Sequence, residues 1–166
     1  MDERTIWEAV QRPLAMEPLH DYCEYVDRND PATLVQKVFT EDGAFELGSK
    51  RAVIGHESLR RMFAKTLAAF DRTSHHLSNV RIGFVGEGAA TASSYVYAWH
   101  QEVGSGRRVE VWGRYHDELR LTEQGWRIAV RRLALHGWDG WTDAPFELIE
   151  RLPNPSETPS PTITTR

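Results

Sequence analysis

From Thr73 onward the chain carries four long stretches rich in Val, Ile, Tyr, Trp and Thr: residues 73–84, 89–102, 107–121 and 125–136. Short glycine-bearing turns separate them: Gly86-Glu87-Gly88, Gly104-Ser105-Gly106 and Gln124-Gly125. β-Branched and aromatic residues suit a pleated, half-buried surface, and turns this short join antiparallel neighbours. The pattern predicts a meander of four long strands linked by hairpins.

Four helix-length segments precede the meander. Ile6, Trp7, Val10 and Leu14 recur at helical spacing within residues 1–17, and Pro13 is expected to end that helix. Pro18 can open the next one, whose stripe of Leu19, Tyr22, Cys23 and Val26 runs to Asn29. Asp30-Pro31 reads as an N-cap followed by proline at the first helical position, with Leu34, Val35, Val38 and Phe39 as the apolar face. Short strands are expected over Ala44 to Leu47 and Ala52 to Ile54. After Gly55, Leu59, Met62, Phe63, Leu67 and Phe70 mark the fourth helix. Helices first and hairpins after is an α+β order, with the helices on one face of a curved antiparallel sheet that wraps around them. Residues 1–152 read as a single domain of this kind. The tail over residues 153–166 holds four of the eight prolines among many Ser and Thr; it cannot bury enough to fold and is expected to be disordered.

Composition narrows the function. A chain of 166 residues with 40 % hydrophobic residues can bury one core, and its six Trp could help to line a pocket. The net charge of −4 is spread without a Lys/Arg stripe, which argues against nucleic acid. Cys23 is the only cysteine, so no intrachain disulfide framework and no cysteine metal knuckle is possible. The N-terminal residues lack an apolar signal core, and no apolar run approaches the ~20 residues that span a bilayer. A cytoplasmic protein with no membrane association fits.

Few residues stand out for chemistry. No H-x-x-x-H, C-x-x-C or H-x-H spacing occurs, and the adjacent His75 and His76 point to opposite faces of a strand, so a metal site is not expected. The paired glycines lie between strands rather than opening a helix, which makes them turns and not phosphate cradles. No nucleophile elbow surrounds a Ser or Cys. Asp27 lies at a helix end after Tyr22 and Tyr25, and His75 opens the first long strand. A general base needs an imidazole in an apolar cavity with a carboxylate on one ring nitrogen. Spacing alone does not pair Asp27 with His75.

A resemblance carried by several segments implies that pairing. PLHDYCEYVDRND, then VFTEDGAFEL, TSHHLSNVRIGF and GWRIAVRRLAL together resemble the SnoaL-like branch of the nuclear-transport-factor-2-like superfamily, over roughly residues 10–140. That branch includes scytalone dehydratase, a lindane dehydrochlorinase and a bile-acid dehydratase. The resemblance implies a cone-shaped pocket holding an Asp/His pair. Asp27 falls on the aspartate and His75 on the histidine; Tyr22 matches a tyrosine of the bile-acid enzyme, and Arg131 an arginine of the dehydrochlorinase. The implied catalytic set is Asp27, His75 and Tyr22. Arg131, Leu47, Tyr97 and Trp112 are the expected substrate-binding residues, the last two as mid-strand aromatics lining the cone. The implied function is a cofactor-free lyase of the dehydratase type acting on a cyclic, largely apolar small molecule. The same dyad would serve an isomerase or polyketide cyclase, and a binding protein without chemistry is the third reading. Large residues on the sheet's outer face lead to an expected homo-oligomer, a dimer or a trimer.

Overall fold

A computed structural model of the chain describes residues 1–46 and 51–150. The expected disordered tail and Leu47 lie outside the described residues.

Among the described residues three helices, not four, form one layer. Helix α1 (Glu3–Asp27) is capped by Asp2, whose carboxylate accepts from the Thr5 amide at 2.8 Å, and it runs unbroken through both Pro13 and Pro18. Each proline removes one backbone hydrogen bond and favours a kink, but need not end a helix whose neighbours hold it in place. Here one face of α1, from Ala15 through Leu19 and Tyr22 to Val26, is buried against the sheet, and Pro18 itself is buried. The helix stops at Asn29, which takes a left-handed φ of 54°, while the Asp30 amide reaches back to the Tyr25 carbonyl at 3.0 Å. Asp27 is therefore fixed as the last helical residue. Helix α2 (Pro31–Val38) begins as expected, with Asp30 accepting from the Thr33 amide. Helix α3 (His56–Leu67) buries Leu59, Phe63 and Leu67; it ends before Phe70, which opens a strand instead.

The strands are β1 (Phe39–Glu46), β2 (Ala52–Ile54), β3 (Phe70–Val85), β4 (Ala89–Glu102), β5 (Arg108–Thr122), β6 (Gly125–Asp139) and β7 (Glu147–Leu148). The sheet order is β2-β1-β6-β5-β4-β3, with β7 beside β6. The four long strands form the expected antiparallel meander. The sheet as a whole is mixed, because β1 and β7 each pair with β6 in parallel.

Register shifts interrupt the strand ladders, and three of them decide which side chains face the helices. In β3 one extra residue lies between the Ser78–Tyr95 and Arg81–Ser93 pairs, where Asn79 has a left-handed φ of 51°. In β6, Ala129 and His136 are each unpaired opposite β5. An extra residue bends a strand and reverses its alternation. Thus Trp126 and Ile128 face inward, and after Ala129 the inward set becomes Arg131, Leu133 and Leu135.

At the His136 shift Gly113 comes so close to β6 that an added Cβ would lie 2.4 Å from the Ala134 carbonyl oxygen, whereas a Cβ at Gly137 would meet nothing within 4 Å. Gly113→Ala should therefore destabilise the fold by about 1–3 kcal/mol through overpacking, a loss of roughly 2–12 °C in Tm. Gly137→Ala should leave Tm nearly unchanged. Thermal melts of the two variants check the pair.

Candidate active site

The end of α1 meets the start of β3 at Asp27 and His75. The His75 ring donates from Nδ1 to Asp27 Oδ1 at 2.7 Å, and the His75 amide donates to Asp27 Oδ2 at 2.8 Å. Thr73 Oγ1 donates to Oδ1, also at 2.8 Å. A carboxylate can only accept here, so Nδ1 carries the proton and Nε2 of the neutral ring is left bare. Burial pushes the Asp27 carboxyl upward, but the hydrogen bonds from the His75 ring and amide and from Thr73 outweigh it and hold its pKa below the usual carboxylate value. The His75 side chain is only 7 % exposed.

His75 faces a cavity of about 240 Å³ between the C-terminal half of α1, α3, the inner face of β4–β6 and the segment around Trp141 and Phe146. Most of its lining is apolar: Val26, Phe45, Phe63, Ala98, Val111 and Leu133 among others. Tyr22 and Tyr115 complete one side, their ring centroids 5.6 Å apart, and burial pushes the Tyr22 phenol up to about 12 and the Tyr115 phenol well above its ordinary value. Both stay protonated at neutral pH.

A second imidazole shares the cavity. His100 lies two residues along β4 from Ala98, the partner of His75, and its ring centroid is 5.2 Å from that of His75 at an interplanar angle of 89°. The Val109 carbonyl, 3.4 Å from Nδ1, can only accept, so neutral His100 also presents a bare Nε2. Burial pushes its pKa down to about 4, and the neighbouring His75 acts in the same direction. The sequence reading passed over His100. The alternation Val96, Ala98, His100 on one strand face was the available signal, but it does not say which face is inside.

The expected substrate-binding residues are not brought together. Tyr97 and Trp112 point away from the cavity: on the outer sheet face His76 stacks on Tyr97 and Tyr97 on Trp112, each at 5.8 Å, with Trp112 42 % exposed. Alternation puts the small Ala98 and Val111 inside, where the cavity needs space, and so puts the large rings outside. Arg131 faces inward but does not line the cavity. Its side chain is fully buried behind Tyr22 and Tyr115, bound twice to Asp117, Nε to Oδ1 at 2.8 Å and Nη2 to Oδ2 at 2.9 Å. Among the described residues, no three His, Cys, Asp or Glu side chains cluster as a metal ion would require, and no helix is long and apolar enough to cross a membrane.

A SnoaL-like domain family pattern matches residues 15–132. The chain belongs to the SnoaL-like family. Solved structures with the same fold include a candidate scytalone dehydratase from Novosphingobium aromaticivorans, 24 % identical, covering 90 % of this chain and 99 % of its own at a TM-score of 0.82. A candidate aromatic ring hydroxylase from the same organism is 29 % identical over 80 % of this chain and 94 % of its own, at a TM-score of 0.74. A type-2 hexachlorocyclohexane dehydrochlorinase, LinA, is 14 % identical over 88 % of this chain and 97 % of its own, also at 0.74. No curated protein matches the sequence significantly. A catalytic or ligand-binding role is thus supported by the family.

His100 makes a pH prediction. His100 has its pKa lowered from 6.5 to about 4 in the folded chain, so between these values the unfolded chain binds a proton that the folded one does not. Stability then falls as pH drops through that window, by on the order of 3 kcal/mol. The contribution of Asp27 has the opposite origin, a depressed acid, and is lost only below its ordinary value of 3.8. Urea melts from pH 7 to 4 should show the loss in the wild type and a flatter profile in His100→Gln.

Proposed function

We propose that this SnoaL-like protein is a cofactor-independent lyase that eliminates water or another small group from a cyclic, largely apolar molecule. The observation that carries the reading is the 2.7 Å contact between His75 Nδ1 and the Asp27 carboxylate, with the bare Nε2 directed to an apolar cavity. Neutral His75 takes a proton from carbon next to a carbonyl or a leaving group. Asp27 holds the reactive tautomer and stabilises the imidazolium that forms. The electron pair moves toward the departing group, and negative charge developing on a substrate oxygen is met by the protonated Tyr22 phenol. His100, neutral near pH 7, can accept a hydrogen bond from the substrate without competing as an acid.

Support from the comparisons lies in the kind of neighbour: a candidate scytalone dehydratase and a hexachlorocyclohexane dehydrochlorinase share the fold. Isomerisation and ring closure begin with the same proton abstraction, and product analysis separates them from elimination. A binding role without chemistry is favoured by no feature of the dyad, since the two groups are in contact and the imidazole is shielded from solvent.

Tests use neutral cyclic β-hydroxyketones of one or two rings, with elimination followed by the ultraviolet absorbance of the conjugated product. His75→Ala should lower turnover by about 10²–10⁴-fold, the usual contribution of a positioned base, with thermal stability retained. Asp27→Asn should lose less, because an unassisted imidazole is still a base. Tyr22→Phe should cost ~1–3 kcal/mol of transition-state stabilisation, one hydrogen bond to developing charge. Wild-type turnover in His75→Ala would remove the dyad from the mechanism.

A further inference from the structure

Arg131 and Asp117 form an ion pair whose side chains are wholly inaccessible to solvent. Burying two charges costs desolvation that their attraction barely offsets, and apolar residues of similar volume are often as stable. Stability alone is therefore a weak reason for such a pair inside this core. Its surroundings suggest another. The guanidinium carbon lies 4.1 Å from the ring centroid of Tyr22 and 4.1 Å from that of Tyr115, wedged between two rings inclined at 68°. Those two rings line the cavity, and the cation sits behind both. Asp117 occupies Nε and Nη2, whereas Nη1 has no hydrogen-bond partner among the described residues.

A planar cation held on two of its donors by a carboxylate cannot rotate away from the rings it touches. Its charge also favours electron density moving onto the phenol oxygens, against the burial that raises both phenols. We propose that Arg131, locked by Asp117, is a positioning residue that sets the phenols of Tyr22 and Tyr115 as a paired hydrogen-bond-donating floor for an oxyanion in the cavity. The inference rests on the reading of this cavity as the reacting site, and it reassigns Arg131 from substrate binding to support. It also accounts for the Ala129 bulge, without which strict alternation would point Arg131 away from the tyrosines.

The test needs no known substrate. Para-nitrophenol is a one-ring probe whose phenolate is an oxyanion with its own visible absorbance; nitrobenzene is its uncharged relative. Bound to the wild type, nitrophenol should ionise at lower pH than in water. In Arg131→Met/Asp117→Leu, which replaces the ion pair by apolar side chains, the ionisation constant of the bound probe should fall about tenfold or more, while nitrobenzene affinity and Tm stay close to wild type. Tyr22→Phe should show the same selective loss. Should the double variant not fold, Arg131→Lys keeps the charge balance with Asp117 but loses the planar contact, and it should show an intermediate shift. An unchanged ionisation constant in these variants overturns the proposal. So does a parallel loss of nitrophenol and nitrobenzene, which would mean a merely structural role. If the wild type binds neither probe, the cavity reading and the inference fall together. Wild-type turnover in His75→Ala would remove the proposed base while leaving the donor floor to be judged by the nitrophenol measurement alone.

Discussion

One carboxylate joins the helical layer to the sheet at the edge of the cavity. Asp27 ends α1 and accepts three hydrogen bonds, two from His75 and one from Thr73, all on β3. Its position is inherited from the whole helix. Ala15, Leu19, Tyr22 and Val26 are buried along one side of α1, so the last turn cannot shift without disturbing that seam. The same seam places Tyr22, five residues before Asp27, against the cavity. A helix of 25 residues that passed two prolines and yet stopped before Asn29 thus delivers a carboxylate and a phenol to one side of one cavity.

The sheet contributes through its irregularities as much as through its strands. With perfect alternation, the inward set that begins at Trp126 and Ile128 would continue as residues 130, 132 and 134. The extra residue at Ala129 moves it to Arg131, Leu133 and Leu135, so the buried cation and the cavity-lining Leu133 owe their direction to a single unpaired residue. At the other end the His136 shift brings β6 against Gly113, where no side chain fits. Curvature and side-chain direction therefore come from the same defects, and a smooth sheet of this sequence would neither enclose the cavity nor put a charge behind its tyrosines.

The four long strands were legible because β-branched and aromatic runs between glycine turns leave little alternative, and α2 was legible from its Asp-Pro start. Helix α1 was misread as two because proline is a strong local signal, while the packing that carries a helix past it is tertiary. The Asp27–His75 pairing came from family resemblance, since 48 residues of separation say nothing about contact. His100, Tyr97 and Trp112 show the remaining limit. Alternation in Tyr95-Val96-Tyr97-Ala98-Trp99-His100 divides the residues cleanly into two sets, but size misleads about which set is inside. A solid core would take the large rings; a sheet that must leave 240 Å³ open takes Ala98 and sends Tyr97 outward.

The two imidazoles of the cavity are alike in tautomer and differ in what stands behind them. Each gives its Nδ1 proton to an acceptor and leaves Nε2 free, but His75 gives it to an anion and His100 to a neutral carbonyl at 3.4 Å. A proton arriving at His75 therefore forms an ion pair with Asp27. One arriving at His100 forms an isolated buried cation beside Phe70 and Trp141, which is why that ring holds a proton only near pH 4. In the proposed reaction the asymmetry would separate two tasks that one histidine cannot perform together: gaining charge, and remaining an uncharged acceptor throughout.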